Sequence, residues 1–118
     1  MKKAKNFIEH IIDEDLRKGF DKSKLRFRFP PEPNGYLHIG HVKAIVLNFE
    51  LAKEYSAKIN LRFDDTNPEK EEQKYIDAIK NDIKWLNYNW DNELYASDYF
   101  ETLHAWAMNL IKEDKAYV

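Results

Sequence analysis

Residues 30–41 read PPEPNGYLHIGH, a run with three prolines, two glycines and two histidines. Each proline fixes φ and removes an amide donor, so this run predicts a pre-shaped loop. Asn34 and Gly35 form a turn pair that tolerates positive φ. A helical pattern of apolar residues starts at His38, which makes the run a stiff connection from a strand into a helix.

The segments on either side of this loop predict a strand–helix–strand unit. Residues 24–29, KLRFRF, alternate apolar and cationic side chains, which is typical of a strand with one buried face. From His38 to about Tyr55 the apolar residues recur at helical spacing. Residues 58–63, KINLRF, alternate again and predict a second strand.

Further helices are predicted before and after this unit. Residues 6–18 have apolar side chains at helical spacing, and Gly19 is a natural stop. A helix to about Leu86 is expected to start at Pro68 with Asn67 as its cap, or with Asp65 or Thr66 sharing that role.

The C-terminal part predicts a loop, a helix and a short strand. Residues 87–96 are interpreted as a loop, and Asp98 and Glu101 have the spacing of a capping box for the helix that follows. Residues 116–118, AYV, predict a third strand. The side chains that this last helix is expected to bury are Phe100, Leu103, Ala107, Leu110 and Ile111.

This order of elements predicts an α/β fold with a parallel sheet and right-handed crossover helices. Ligands of such sheets bind at the carboxyl ends of the strands. The loops 30–37 and 64–68 both follow predicted strands, so we expect them to meet at one crevice.

His38 and His41 are the candidate chemical groups of the opening run. Their i, i+3 spacing places both on one side of a helix N-terminus, where free N–H groups and the helix dipole attract anions. A polyphosphate would suit this site. Gly40 lies in the first turn, where alanine would be more favourable by about 1 kcal/mol, so it suggests close approach of a flat or bulky group.

Other interpretations of the two histidines stay open on residue types alone. The imidazoles could simply cap the helix, with Gly40 allowing helix–sheet packing. A zinc site is weakly supported because no third ligand is close in sequence. The Walker loop and the dinucleotide fingerprint are both absent.

Composition sets broad limits. The chain has 118 residues, 43% of them hydrophobic and none of them cysteine, which suits one globular domain without disulfides or thiolate metal sites. It holds no apolar run near the length of a membrane span. Residues 1–29 carry a net charge of +4 and residues 66–118 one of −5, although the whole chain is only −2. We expect a cytoplasmic protein with no membrane contact.

Four segments resemble class I aminoacyl-tRNA synthetases, and among them the glutaminyl branch. HIGH at 38–41 resembles the signature of the class. The longer blocks are RFPPEPNGYLHIGHVKAIVLNF (28–49), NLRFDDTNPEKEE (60–72), IKNDIKWLNYNW (79–90) and SDYFETLHAWAMNLIKEDKAYV (97–118). Together they span essentially the whole chain in the family's order.

The resemblance implies the N-terminal half of a Rossmann-like, HIGH-type nucleotide-binding domain. It divides the chain into an N-terminal helix and linker, 1–23, and the first half of the catalytic domain, 24–118. The second half, the KMSKS loop, the acceptor-stem domain and the anticodon-binding domains of the family are absent from these 118 residues. We therefore expect a fragment that is inactive or feeble by itself.

The resemblance also assigns residue roles. His38 and His41 are the implied catalytic residues, contacting the ATP phosphates as pyrophosphate leaves. Asp64 is expected to bind the α-ammonium group of glutamine, and Arg28 to lie in the amino-acid pocket. The implied ATP-binding set is Glu32, Pro33, Asn34, His38, Ile39, Gly40, His41, Val42, Lys43 and Ala44. No residue is assigned to a metal, and Asp65 is interpreted as a turn or cap residue.

The implied function is ATP-dependent activation of L-glutamine, with Mg²⁺, and transfer of the glutaminyl group to tRNA(Gln) by a monomeric full-length enzyme. A glutamyl-tRNA synthetase of the eukaryotic or archaeal kind is the first alternative. A nucleotide-binding module without catalysis is the second, and a purely structural domain is the third.

Overall fold

A computed structural model describes residues 3–118, so Met1 and Lys2 of the predicted segment 1–23 lie outside the described residues. Within residues 3–118 a parallel sheet has the order β1 (Arg26–Phe29), β2 (Lys58–Phe63), β3 (Asn92–Tyr95). The helices are α1 (Phe7–Arg17), α2 (Ile39–Glu54), α3 (Gln73–Trp85) and α4 (Phe100–Lys112). Two short 3₁₀ turns cover Lys22–Lys24 and Ala96–Tyr99. The α/β class with a parallel sheet is therefore confirmed.

One face of the sheet forms the main core. Alternation along β2 turns Ile59, Leu61 and Phe63 to the same side, and each is at most 4% exposed. Helices α2 and α3 cover this side because their apolar stripes need the same burial. The buried side chains that pack with those of β2 are Phe29, Ile45, Phe49, Ala52, Ile79, Ile83 and Tyr88.

The opposite face of the sheet is polar and open within residues 3–118. The register pairs Arg26 with Lys58 and Arg28 with Asn60, so cations and amides alternate with the core side chains. The Asn92 amide donates to the Asn60 side-chain oxygen at 2.9 Å, which links β3 to β2 on this face. Arg28 is therefore exposed on the side of the sheet away from α2 and α3.

Helix α1 packs on the C-terminal part of α2. Asn6 caps α1 by accepting from the Glu9 amide at 2.9 Å. Ile12 is buried against Leu51 and Tyr55 of the α2 end. The Tyr55 hydroxyl donates to Asp13 Oδ1 at 2.7 Å, and burial of this phenol raises its pKa. The predicted boundary after residue 23 stays a prediction.

The third strand lies earlier in the chain than predicted. The predicted loop 87–96 contains β3, which pairs with β2, whereas residues 116–118 form no strand. The segment NELY has only four residues, and two of its neighbours, Asn89 and Asp91, are polar. Such a short segment has no readable alternation, so its pairing with β2 decides its structure.

The start of α3 also differs from the prediction. The helix begins at Gln73 after Glu72, and residues 68–70 form a separate turn. Asn67 accepts from the Glu69 amide at 3.2 Å and so serves that turn instead of the helix. Asp65 and Thr66 do not cap α3 either; the carboxylate of Asp65 bonds Ser97.

The prediction that α4 buries its apolar side was wrong. Phe100, Leu103 and Leu110 are each 45–47% exposed, Ala107 is exposed, and Ile111 is only half-buried. Asp98 and Glu101 form no capping box, because a 3₁₀ turn precedes the helix and Tyr99 stands at its cap. Helical spacing defines an apolar face, but burial needs a second element against it, and α4 contacts mainly its own preceding turn.

Membrane insertion finds no support in the described helices. Among residues 3–118, no helix combines the length and apolarity needed to cross a bilayer.

Candidate functional site

His38 and His41 cap the N-terminus of α2 reciprocally. The Nδ1 atom of His38 accepts from the Gly40 amide at 3.1 Å, and the Nδ1 atom of His41 accepts from the His38 amide at 3.0 Å. This is the arrangement of a capping box, with imidazoles in place of the usual hydroxyl and carboxylate. The two ring centroids lie 4.0 Å apart with an angle of 51° between the planes.

The capping bonds decide which ring nitrogens are available. Because both Nδ1 atoms accept hydrogen bonds, the neutral imidazoles carry their proton on Nε2. Each histidine then presents one N–H donor, at the end of a helix whose dipole favours anions. His38 is exposed and His41 is half-buried.

Gly40 allows the His38 ring to reach its capping position. A Cβ atom on residue 40 would lie 2.8 Å from His38 Cε1 and 2.9 Å from His38 Nδ1. These distances are shorter than van der Waals contact, so an alanine would displace the ring. The flat group that approaches Gly40 within this chain is thus the neighbouring imidazole.

The two loops after β1 and β2 meet, as the sequence predicts. The Asp64 amide donates to the Pro31 carbonyl at 2.9 Å, and the Glu72 amide donates to the Pro33 carbonyl at 3.3 Å. Pro33 is fully buried, whereas Glu32 and Asn34 are exposed. A cavity of about 370 Å³ lies beside this junction. It is lined by Pro33, Asp65, Pro68, Glu71, Glu72, Gln73, Ile76, Ser97 and Phe100.

Asp64 and Arg28 share the open face of the sheet but are well separated. Asp64 directly follows the buried Phe63, so alternation turns it to the side opposite the helices. Arg28 pairs with Asn60, four residues before Asp64, which corresponds to about 13 Å along the strand. The described structure therefore does not bring these two predicted residues into contact.

The predicted helical wall, residues 39–44, is largely open to solvent. Ile39 is 86% exposed, Val42 is half-buried, and Lys43 and Ala44 are exposed. The groove beside this wall has a volume of about 220 Å³. Its lining residues are Leu37, His38, Ile39, Val42, Ile45, Asp82, Trp85 and Leu86. The contribution of α3 to this groove was not predicted, since only packing places its C-terminal turn beside His38.

Ser97 is a residue of this region that the sequence did not single out. Its amide and its hydroxyl both donate to the carboxylate of Asp65, at 2.8 and 2.5 Å. Asp65 is therefore not itself in a turn or at a helix cap, as the sequence predicted, but bonds the 3₁₀ turn that follows β3. A small hydroxyl residue just after a short strand is the only signal that the sequence offers for this pair.

No metal cage is formed by the described residues. Among residues 3–118, no group of three or more His, Asp and Glu side chains is arranged to hold a metal ion.

The chain is similar to known class I tRNA synthetases. Residues 24–118 match the family model described as class I tRNA synthetases (E and Q), catalytic domain. The glutamine–tRNA ligase of Clostridium kluyveri is 61% identical over 115 residues, which cover 98% of this chain and 20% of that protein. The ligase of the same name from Haemophilus influenzae is 61% identical over 114 residues, covering 96% and 20% respectively.

A third relative is matched over a similar share of its length. The glutamine–tRNA ligase of Stutzerimonas stutzeri is 61% identical over 116 residues, which are 98% of this chain and 21% of that protein. The chain thus spans about a fifth of the length of these curated relatives. The family match over residues 24–118 and these identities show that the chain belongs to the class I tRNA synthetases of the E and Q type, within their catalytic domain.

Proposed function

We propose that this chain forms the ATP-binding and glutamine-binding part of a glutamine–tRNA ligase. The observation that carries the proposal is the reciprocal capping of α2 by His38 and His41, which uses both Nδ1 atoms and leaves Nε2–H of each imidazole as the donor for a ligand. The relatives named as glutamine–tRNA ligases support the choice of glutamine over glutamate.

In this proposal the histidines bind the phosphates of ATP. Donation from Nε2 stabilises negative charge that moves onto the leaving pyrophosphate, and the helix dipole of α2 adds to that effect. Gly40 keeps the His38 ring close to the helix. The exposed wall from Ile39 to Ala44, with Glu32, Pro33 and Asn34 of the loop, lies beside the nucleotide.

Asp64 and Arg28 are proposed for the amino acid. An ammonium group needs a carboxylate partner, and neither oxygen of Asp64 has a hydrogen-bond partner among residues 3–118. Arg28 lies on the same open face, so it would approach the other end of the substrate. These assignments rest on the resemblance and on the shared face.

The proposed reaction has two steps. A carboxylate oxygen of glutamine attacks the α-phosphorus of ATP, the bond to the β-phosphate oxygen breaks, and pyrophosphate leaves. A ribose hydroxyl of the terminal adenosine of tRNA(Gln) then attacks the acyl carbon, and AMP leaves with the bonding electron pair. The residues of this chain contribute binding, orientation and hydrogen bonds, without a covalent intermediate.

Mg²⁺ is proposed as a companion of ATP. Mg²⁺ commonly keeps several waters and is bound largely through substrate phosphates, which neutralises phosphate charge. We assign none of the described side chains to it.

We further propose that the protein works in the cytoplasm, where tRNA is charged, and as a monomer. Light scattering at working concentration would test the monomeric state.

Isothermal titration with ATP and Mg²⁺ tests the phosphate site. His41→Asn retains a side-chain acceptor for the His38 amide but removes the Nε2–H donor. A hydrogen bond to a charged group contributes about 1.5–3 kcal/mol, so we expect ATP affinity to fall roughly tenfold or more. His104→Asn changes an exposed histidine of α4 and serves as the matched control.

Equal ATP affinity in the wild-type chain and in His41→Asn would contradict the proposed phosphate site. A second assay uses a protein of the relatives' full length that contains this chain. It is offered glutamine and glutamate in parallel, and the amino acid that it attaches to tRNA(Gln) separates the glutamine proposal from the glutamate alternative.

A further inference from the structure

Asp65 and Ser97 join the ends of two neighbouring strands. Asp65 follows β2, and Ser97 lies in the 3₁₀ turn that follows β3. One carboxylate oxygen of Asp65 accepts from the Ser97 amide at 2.8 Å, and the other accepts from the Ser97 hydroxyl at 2.5 Å. We call this pair the Asp65–Ser97 clasp.

The residue before the clasp is held from the other side. The Asp64 amide donates to the Pro31 carbonyl at 2.9 Å, beyond the last registered pair of β1 and β2. The dipeptide Asp64–Asp65 is therefore tied to the chain after β1 through its backbone and to the chain after β3 through a side chain. Alternation then turns the Asp64 carboxylate towards the open face.

We propose that Asp65 and Ser97 are positioning residues that fix the direction of the Asp64 carboxylate. Asp65 accepts one hydrogen bond from Ser97 on each of its two oxygens. Asp64 has no side-chain partner of its own in the described structure, so its direction depends on the backbone that the clasp holds. The consequence for glutamine rests on the proposed function, in which Asp64 binds the α-ammonium group.

The chain contains a matched control for this pair. Asp21 accepts from the Ser23 amide at 3.0 Å and from the Ser23 hydroxyl at 2.7 Å, in the 3₁₀ turn before β1. The chemistry resembles that of the clasp, but the location is at the opposite, amino-terminal end of the strands. Both bonds go to Asp21 Oδ1, so Asp21→Asn keeps an acceptor oxygen and reports the effect of removing an aspartate charge beside a serine.

The variants are Asp65→Asn, Ser97→Ala and Ser97→Thr, with Asp21→Asn as the control. Asn has one acceptor oxygen where Asp has two, and Ala removes the hydroxyl donor alone. Thr keeps both donors and is expected to restore wild-type behaviour. Circular dichroism establishes whether each variant is folded. If Asp65→Asn does not fold, Ser97→Ala tests the same pair with a milder change.

The ligand-free readout is the ¹H–¹⁵N heteronuclear NOE of the Asp64 and Thr66 amides in the 118-residue chain. We expect it to fall in Asp65→Asn and in Ser97→Ala, and to stay unchanged in Ser97→Thr and Asp21→Asn. Unchanged values in Asp65→Asn and Ser97→Ala would overturn the proposal.

The second readout compares L-glutamine with glutaramic acid, which lacks the α-amino group. The wild-type chain should bind glutamine about tenfold more tightly than glutaramic acid, and Asp65→Asn and Asp64→Asn should each lose most of that preference. A role in stability alone would weaken both ligands equally, and that result would overturn the proposal. If the wild-type chain shows no preference but the NOE values fall as expected, the clasp is upheld and the glutamine site is rejected.

Discussion

Three residues of the first turn of α2 and its cap, His38, Gly40 and His41, show how one backbone feature sets the chemistry of the candidate site. The glycine gives the His38 ring space to cap α2, and the cap uses Nδ1, which leaves Nε2 as the other ring nitrogen. The sequence predicted an anion site from the same residues, but it left open whether the imidazoles cap the helix or bind a ligand. The structure shows the cap, and because the cap uses Nδ1, the proposed ligand contact would use the other ring nitrogen.

Gly40→Ala is predicted to separate binding from stability. The new Cβ displaces the His38 ring and removes its cap, at a cost of about 0.5–2 kcal/mol, while alanine improves helix propensity by about 1 kcal/mol. We therefore expect the free energy of unfolding in urea to change by no more than about 1 kcal/mol. ATP affinity, measured by titration calorimetry, should fall roughly tenfold or more, because the loss of a charged hydrogen bond has that effect.

Gly35→Ala is the control for this substitution, since a Cβ at residue 35 meets no atom within 4 Å. Retention of full ATP affinity by Gly40→Ala would show that the position of the His38 ring is irrelevant to the phosphate site.

At the scale of single elements, α3 and α4 have comparable apolar patterns but opposite environments. Ile79 of α3 is completely buried beneath the sheet, whereas Leu103 of α4 is 46% exposed. Each lies at helical spacing from other apolar residues, so sequence alone predicts the same burial for both. The difference arises because α3 crosses the sheet and α4 extends away from it.

Ile79→Ala and Leu103→Ala are predicted to differ strongly in stability. Removing a fully buried aliphatic side chain costs about 2–5 kcal/mol, while a substitution on an exposed surface stays within about 0.5 kcal/mol. Urea unfolding followed by circular dichroism measures both values. A loss in Leu103→Ala as large as that in Ile79→Ala would mean that α4 packs against another surface in solution.

Two phenols, the buried Tyr88 and the half-buried Tyr95, connect the stability of the whole molecule to pH. The Tyr88 hydroxyl donates to Glu50 at 2.7 Å and the Tyr95 hydroxyl donates to Glu93 at 2.8 Å. Burial is the main reason that the pKa of each rises to about 12, and the neighbouring carboxylates add to it. The folded state thus favours the neutral phenols, whose ordinary pKa is about 10.

Stability is therefore predicted to decrease at high pH. A raised pKa contributes stability that is fully present below about pH 10 and is lost as the pH rises towards the folded-state value. Urea unfolding of the wild type at pH 9 and pH 11.5 should show this decrease. It should be smaller in the double variant Tyr88→Phe, Tyr95→Phe, and unaltered in Tyr117→Phe, which changes a phenol that is 96% exposed. Equal decreases in the wild type and in the double variant would contradict the role of these two residues.

The sequence by itself determined the parallel α/β unit, the meeting of the two loops and the side-by-side histidines. These features follow from local periodicity, from proline and glycine geometry and from the rule that ligands lie at the carboxyl ends of parallel strands. Only the tertiary structure decided that NELY pairs as β3, that α4 stays exposed, that Arg28 lies far from Asp64, and that Ser97 holds Asp65. Each of these depends on which element lies against which, and residues far apart in the chain decide that through pairing and packing.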